Sequence, residues 1–200
     1  MTGKQICLIS PGHVASNPRL VKEANALHQA GYEVRVIVCD YMAAVRPLDA
    51  TILSQAPWRY IQVKLDSKVR YFNQRFWQEL ARKVASTGII PHLSIATWAH
   101  SPISYQLERA AATEPADLYI AHNLAALPAA AIASSTHNAK LGFDAEDFHV
   151  GQLGDIAENK IEIAIRNYIE RTLLPRCQHL TAASPMIAQA YGKRYGVKME

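Results

Sequence analysis

Residues 4–39 decide the fold. They run Lys4-Gln5-Ile6-Cys7-Leu8-Ile9-Ser10, then a polar loop Pro11-Gly12-His13-Val14-Ala15-Ser16, then Asn17-Pro18-Arg19-Leu20-Val21-Lys22-Glu23-Ala24 and, beyond Gly31, Val34-Arg35-Val36-Ile37-Val38-Cys39. The first run is apolar on both faces, the mark of a strand buried in a parallel sheet. Asn17 as N-cap and Pro18 at the first helical position open a helix. Its apolar stripe is Leu20, Val21, Ala24, Leu27 and Ala30, and Gly31 closes it as a left-handed C-cap residue. A second apolar run, broken by Arg35 alone, follows at 34–39. Strand, helix and strand in this order make a right-handed parallel crossover unit.

The same alternation continues outward. Ile61, Val63 and Leu65 alternate with Gln62 and Lys64, the pattern of a half-exposed strand near a sheet edge. Residues 69–85 form an amphipathic helix with Phe72, Phe76, Leu80 and Val84 on one face, expected to face the core. The stretch 88–99 fits no single element. Ser101-Pro102 repeats the cap signal for a helix reaching about residue 112. Strands are expected at 117–121, 140–143 and 179–183. Helices are expected at 127–135, at 156–174 with a break at Pro175, and from a Ser184-Pro185 cap to Gly196. The expected fold is α/β, a Rossmann-like parallel sheet with helices on both faces, in one domain over 1–200.

Composition narrows the classes of function. The chain has 200 residues, 50% hydrophobic and 19% charged, which suffices for a core and excludes intrinsic disorder. No apolar run reaches the ~20 residues of a membrane helix, and residues 1–9 lack a secretory apolar segment. The three cysteines Cys7, Cys39 and Cys177 are an odd set with no close pair, which fits a reducing compartment. A cytoplasmic protein is expected. The eight histidines include no pair at metal-ligand spacing, so no metal is expected. A net charge of +4 is too mild to call for nucleic acid.

In an open parallel sheet, ligands sit outside the carboxyl ends of the strands, where the strand order reverses. Polar residues gather after those ends: Gly12, His13, Asn17 and Arg19; His122 and Asn123; Asp144, Glu146, Asp147 and His149; and Ser184. The glycine-rich dinucleotide fingerprint, the P-loop and the G-x-S-x-G elbow are all missing. A doubly wound nucleotide-binding protein therefore lacks its signature. A single glycine in a loop feeding a helix can still hold an anion on backbone N–H groups.

The segment from Asn17 to Ala24, continuing through Leu27 to Ala30-Gly31-Tyr32-Glu33-Val34, resembles the opening of glycosyltransferase family 4. Asp117-Leu118-Tyr119-Ile120-Ala121-His122-Asn123 is similar to that family's Asp-hydrophobic-His-x-His/Asn segment. Glu170-Arg171-Thr172-Leu173-Leu174, Leu180-Thr181-Ala182-Ala183-Ser184 and Tyr195-Gly196 resemble the end of its first domain. The resemblance implies one half of a GT-B architecture: the N-terminal, acceptor-side domain, with the donor-binding domain outside this chain. It implies retaining transfer from a nucleotide-sugar, as substrate rather than cofactor, to a saccharide or lipid-linked acceptor, with no metal required. His122 becomes the catalytic candidate. Gly12 and His13 become the donor phosphate-facing candidates. Asn17, Arg19, Asn123, Asp144, Glu146, Asp147, His149 and Ser184 become cleft or acceptor candidates.

Two positions depart from the family pattern: Asn17 stands where Asp is common, and Glu146 where many members have His. Arg19, unfavourable to the dipole of its own helix, calls for a carboxylate partner such as Asp144 or Asp147. Lys68, Arg70, Tyr71, Arg75, Trp77, Arg82 and Lys83 give the 68–83 helix a basic, aromatic edge, suited to peripheral contact with the inner face of a membrane. The isolated chain is expected to be inactive alone. The competing reading is a non-catalytic module that binds or recruits the acceptor for a separate donor-binding chain.

Overall fold

The computed structural model describes residues 3–64, 68–154 and 156–200, with residues 68–71 described by backbone only. Six parallel strands form one sheet: β1 (Gln5–Ile9), β2 (Glu33–Asp40), β3 (Arg59–Lys64), β4 (Leu118–His122), β5 (Lys140–Ala145) and β6 (His179–Ala182). Their spatial order is β3-β2-β1-β4-β5-β6. The chain therefore winds one way from β1 to β3 and the other way from β4 to β6, so the order reverses between β1 and β4. The expected strands are all present, and β3 is the half-exposed edge that its alternation predicts; Leu65 lies outside the described residues.

Eight α-helices accompany the strands among the described residues. α1 (Pro18–Gln29) leaves β1 after a single 3-10 turn, with the Asn17 side chain accepting from Leu20 N–H as N-cap. α2 (Arg46–Leu53) joins β2 to β3, in a stretch where sequence patterning gives no element. α3 (Lys68–Ala85), α4 (Leu93–His100) and α5 (Ser104–Ala111) lie between β3 and β4. α6 (Leu127–Thr136) lies between β4 and β5, α7 (Lys160–Leu173) between β5 and β6, and α8 (Pro185–Tyr195) follows β6. Ser184 Oγ accepts from Ile187 N–H, and Gly196 closes α8 at φ +70°, both as the sequence predicts. Ser101 does not open a helix: it ends α4 as its C-cap, and α5 starts at Ser104. Pro102 acts as a stop after α4 rather than a start.

One apolar layer packs under α1 and α2 on one face of the sheet (Ile6, Leu8, Val36, Leu20, Ala24, Trp58). The larger layer packs under α3 to α8 on the other (Cys7, Ile37, Tyr119, Phe143, Leu127, Ile165, Tyr191). α3 corrects the sequence reading. Phe72, Phe76 and Leu80 are 71%, 63% and 43% exposed, whereas Ala81 and Ala85 are buried. The small residues let α3 approach α4 closely, through Ala96 and Ala99, and the large ones face outward. Among the described residues, no helix is long and apolar enough to cross a membrane.

A carboxylate joins the α3–α4 pair to the rest. Glu162 on α7 meets Arg82 NH1 at 2.7 Å, Arg166 Nε at 2.9 Å and His100 Nδ1 at 3.0 Å. Burial works to raise its pKa, but these three partners hold it at about 2. Glu162→Ala leaves three donors facing one another in a half-buried site. The expected cost is about 2–3 kcal/mol, read from urea unfolding, with faster amide exchange in α3 and α4 than in β1 and β4.

Candidate functional site

The strand register brings the predicted residues together. His122 sits beside Asp144, and Asp144 beside Thr181, as paired positions on β4, β5 and β6. Residues paired in this way point to one face, here the face covered by α1. α1 and its N-cap then supply three more polar groups within the first two turns: Asn17, Arg19 and Glu23.

Arg19 grips Asp144 with both arms, Nε to Oδ2 at 2.9 Å and NH2 to Oδ1 at 2.6 Å, while Thr181 Oγ1 donates to Oδ1 at 2.6 Å. The carboxylate partner that Arg19 demanded is Asp144, not Asp147. His122 is fully buried. Its Nε2 lies 2.8 Å from Glu23 Oε2, and its Nδ1 lies 3.4 Å from Asp144 Oδ2 and 3.5 Å from Glu146 Oε1. Neither ring nitrogen is aligned with a hydrogen-bond acceptor, so these are charge contacts rather than directed bonds. Burial pushes the imidazole pKa down, but Asp144, Glu146 and Glu23 outweigh it and raise it to about 10. His122 is thus a cation at neutral pH. Burial works to raise the Asp144 carboxyl, but His122, Arg19 and Thr181 hold it well below the usual carboxylate range.

Glu23 is the site residue that sequence reasoning missed. Its signal was present: Arg19 and Glu23 lie four apart, on the face of α1 that looks toward the strand ends. Glu23 and Glu146 are each 24% exposed and form the lip over His122. Asn17 reaches the same lip, donating from Nδ2 to Glu146 Oε1 at 2.5 Å. The two departures from the family pattern therefore touch each other. Asn123, next to His122, has φ +78° and ψ 150°, a conformation costing roughly 1–3 kcal/mol outside glycine; such strain is found where a turn is held for function.

The other candidates are placed differently. His13 is buried, with Nδ1 2.6 Å from Asp49 Oδ2 and Nε2 accepting from Tyr41 N–H (3.2 Å) and Met42 N–H (2.9 Å). Its ring braces α2, with both nitrogens already engaged by Asp49 and by the backbone at 41–42. Gly12 does share the sheet end with His122, since Ile9 on β1 pairs with Ala121 on β4. Its N–H turns to Ser10 Oγ at 3.3 Å, and a Cβ there would meet Ser16 Oγ at 2.9 Å, so local packing already accounts for the glycine. His149 is buried with Nδ1 2.8 Å from the Tyr191 hydroxyl, behind the rim rather than on it. Asp147 is exposed, and Ser184 caps α8.

His122, Asp144 and Glu146 offer ligand atoms within 4.8 Å of one another. Both Asp144 oxygens are already taken by Arg19, so a metal ion would have to displace a guanidinium. The cluster as built sets two organic cations, Arg19 and His122, among three carboxylates.

Residues 16–200 match the model of the glycosyl transferase 4-like domain. The chain belongs to the glycosyl transferase 4-like family. No curated protein matches it. Among solved structures, this glycosyl transferase 4-like domain is similar to a protein assigned as a UDP-N-acetylglucosamine 2-epimerase from Listeria monocytogenes. The TM-score is 0.52 at 13% identity, over 94% of this chain and 41% of that one. It is also similar to Arabidopsis thaliana UGT89C1 complexed with UDP-L-rhamnose, at TM-score 0.50 and 15% identity, over 97% of this chain and 50% of that one. The domain spans half or less of the length of these structures. At such identities they confirm the Rossmann-like fold of GT-B proteins.

The charge cluster makes stability depend on pH with a defined sign. The His122 pKa is about 10 folded and about 6.5 unfolded. Its contribution is therefore complete below about pH 6.5 and is lost as pH rises toward 10. Asp144 acts oppositely, its contribution falling away below about pH 4. The urea midpoint of the wild type should drop between about pH 6 and about pH 9.5, and His122→Gln should flatten that drop. An equal slope in the variant would assign the pH dependence to other groups.

Proposed function

We propose that this chain is the acceptor-side domain of a retaining glycosyltransferase that moves a sugar from a nucleotide-sugar to a saccharide or lipid-linked acceptor. The observation that carries this reading is the Glu23–His122–Glu146 lip. It stands at the reversal of a parallel sheet, where such folds bind ligands, in a chain of the glycosyl transferase 4-like family. Full burial keeps His122 from touching a sugar directly, so its part is to position the carboxylates of Glu23 and Glu146. Those two carboxylates, partly open to solvent, accept hydrogen bonds from acceptor hydroxyls, and charge-assisted bonds of this kind are short and directional. The Arg19 side chain, 41% exposed, stands beside them as the accessible cation. The donor diphosphate belongs to the facing domain. Its developing negative charge would be met by backbone dipoles near Gly12 and by cations of that domain.

In the full-length enzyme, Glu146→Gln and Glu23→Gln keep size and polarity but remove charge. Each should lower kcat/KM about 10–100-fold, if the lost interaction is worth about 1.5–3 kcal/mol, while donor hydrolysis changes little. The 200-residue chain alone should show no sugar transfer and no micromolar affinity for UDP by calorimetry. Micromolar binding would move the donor site into this domain.

We further propose that α3 contacts an anionic membrane surface. Phe72, Phe76 and Leu80 form an exposed row one helical turn apart, with Lys83 beside it and Arg75 paired with Glu79 at 3.4 Å, while Arg82 is turned inward to Glu162. An apolar face bordered by cations suits the headgroup boundary. The chain should co-sediment with phosphatidylglycerol vesicles at low salt, and Phe72→Glu with Phe76→Glu should abolish this. Absence of binding by the wild type would remove the membrane role.

A further inference from the structure

A groove of about 610 Å³ opens between α3, α4 and α5, away from the carboxylate lip. Its walls carry Trp77 from α3, Trp98 from α4 and Tyr105 from α5. Trp98 and Tyr105 stack at 5.8 Å with 26° between their planes, and Arg109 Cζ lies 6.0 Å from the Tyr105 ring centre. Trp77 and Tyr105 are 49% and 44% exposed, a large solvent-facing area for rings that a folded chain would ordinarily cover. Asn73 and Gln74 add planar amides one turn before Trp77. Gln106 is pinned between them and the chain: with its amide nitrogen toward the carbonyls of Pro102 and Ile103 (3.0 and 3.2 Å), its oxygen accepts from Gln74 Nε2.

We propose that this groove is a saccharide-binding subsite, which holds a sugar of the acceptor remote from the reacting centre. The proposal rests on the glycosyltransferase reading given above. A pyranose ring has an apolar C–H face and a rim of hydroxyls. It stacks on flat aromatic rings and is fixed by amide and guanidinium groups at the edge, the apolar-wall, polar-rim design of small-molecule sites of ~300–1,000 Å³. Other ligands fit less well. Arg109 is the one cation among the described lining residues, too few for a nucleotide's phosphates. An acyl chain would strip water from the Asn73 and Gln74 amides and give nothing back. The α5 wall of the groove is fixed to the turn that follows β4. Ser104 Oγ, at the start of α5, donates to Ala125 O at 2.9 Å, three residues beyond His122.

The test uses tryptophan fluorescence of the chain titrated with maltotetraose, chitotetraose and mannotetraose. Trp58 is buried and bonded to Asn25 on the opposite side of the sheet, so a response reports Trp77 and Trp98. A saturable change with at least one saccharide is expected. Tyr105→Ala and Arg109→Ala, both at exposed positions, should weaken it about tenfold while the chain stays folded, and Arg171→Gln, at an exposed α7 position outside both sites, should leave it intact. No saturable change with any of the three overturns the proposal. So does a change that Glu146→Gln removes and Tyr105→Ala preserves, although the glycosyltransferase reading then survives. If the groove binds while full-length enzyme transfers no sugar, the groove stands and that reading falls.

Discussion

Everything at the working end of this domain depends on one buried ion pair set. Asp144 and His122 lie side by side at the ends of two central strands, each almost without solvent. Burying either charge alone would cost several kcal/mol. The cost is met only because α1 brings Arg19 onto both oxygens of Asp144 and Glu23 onto His122. The helix that covers the sheet is therefore also the helix that neutralises it. A rotation of α1 by one residue would expose Leu20 and Ala24 and release Arg19 at the same time. Packing and electrostatics select the same register, and the shape of the lip follows from that agreement.

The second face of the sheet is organised by size rather than by charge. α3 and α4 meet through Ala81, Ala85, Ala96 and Ala99, which lets two helices approach closely, and Glu162 fastens the pair to α7. Alanines bury little area, so this pair contributes less hydrophobic free energy than a leucine interface would. Its large side chains are left outside instead. A helix that spends its aromatics on solvent has the composition of a binding surface, and both the Phe72–Phe76–Leu80 row and the Trp77 groove arise from that single choice of face.

Most of the topology was legible in the sequence. Continuous apolar runs at 6–9, 36–39 and 118–121 read as strands covered on both sides, and Asn17-Pro18 and Ser184-Pro185 mark helix starts by local chemistry alone. The failures have physical causes. Periodicity finds the apolar stripe of α3 but not the direction it faces, because alanine and phenylalanine both satisfy an apolar pattern and only tertiary packing decides between them. Ser101-Pro102 imitates a cap because proline suits the residues just after a helix as well as its first turn. α2 has eight residues and little pattern, so the partner of His13, Asp49, was invisible. The site was found by topology, since strand ends are predictable. Glu23 was missed because it arrives from a helix interior, where a charged residue reads as solvated surface.

Asn17 and Glu146 show how such a site can change without losing its form. Each differs from what its family commonly places there, and read separately each looks like the loss of a functional group. In space they are one hydrogen bond, with the amide of Asn17 donating to the carboxylate of Glu146. An aspartate at 17 facing a glutamate at 146 would set two anions together beside Glu23. A histidine at 146 would add a second cation beside His122. With an amide at 17, Glu146 keeps a hydrogen-bond donor on one side while it faces the buried imidazolium on the other. The pair keeps the lip acidic on its open side and compensated on its buried side. That polarity turns the open acceptor oxygens of the lip outward and its compensated ones toward the sheet.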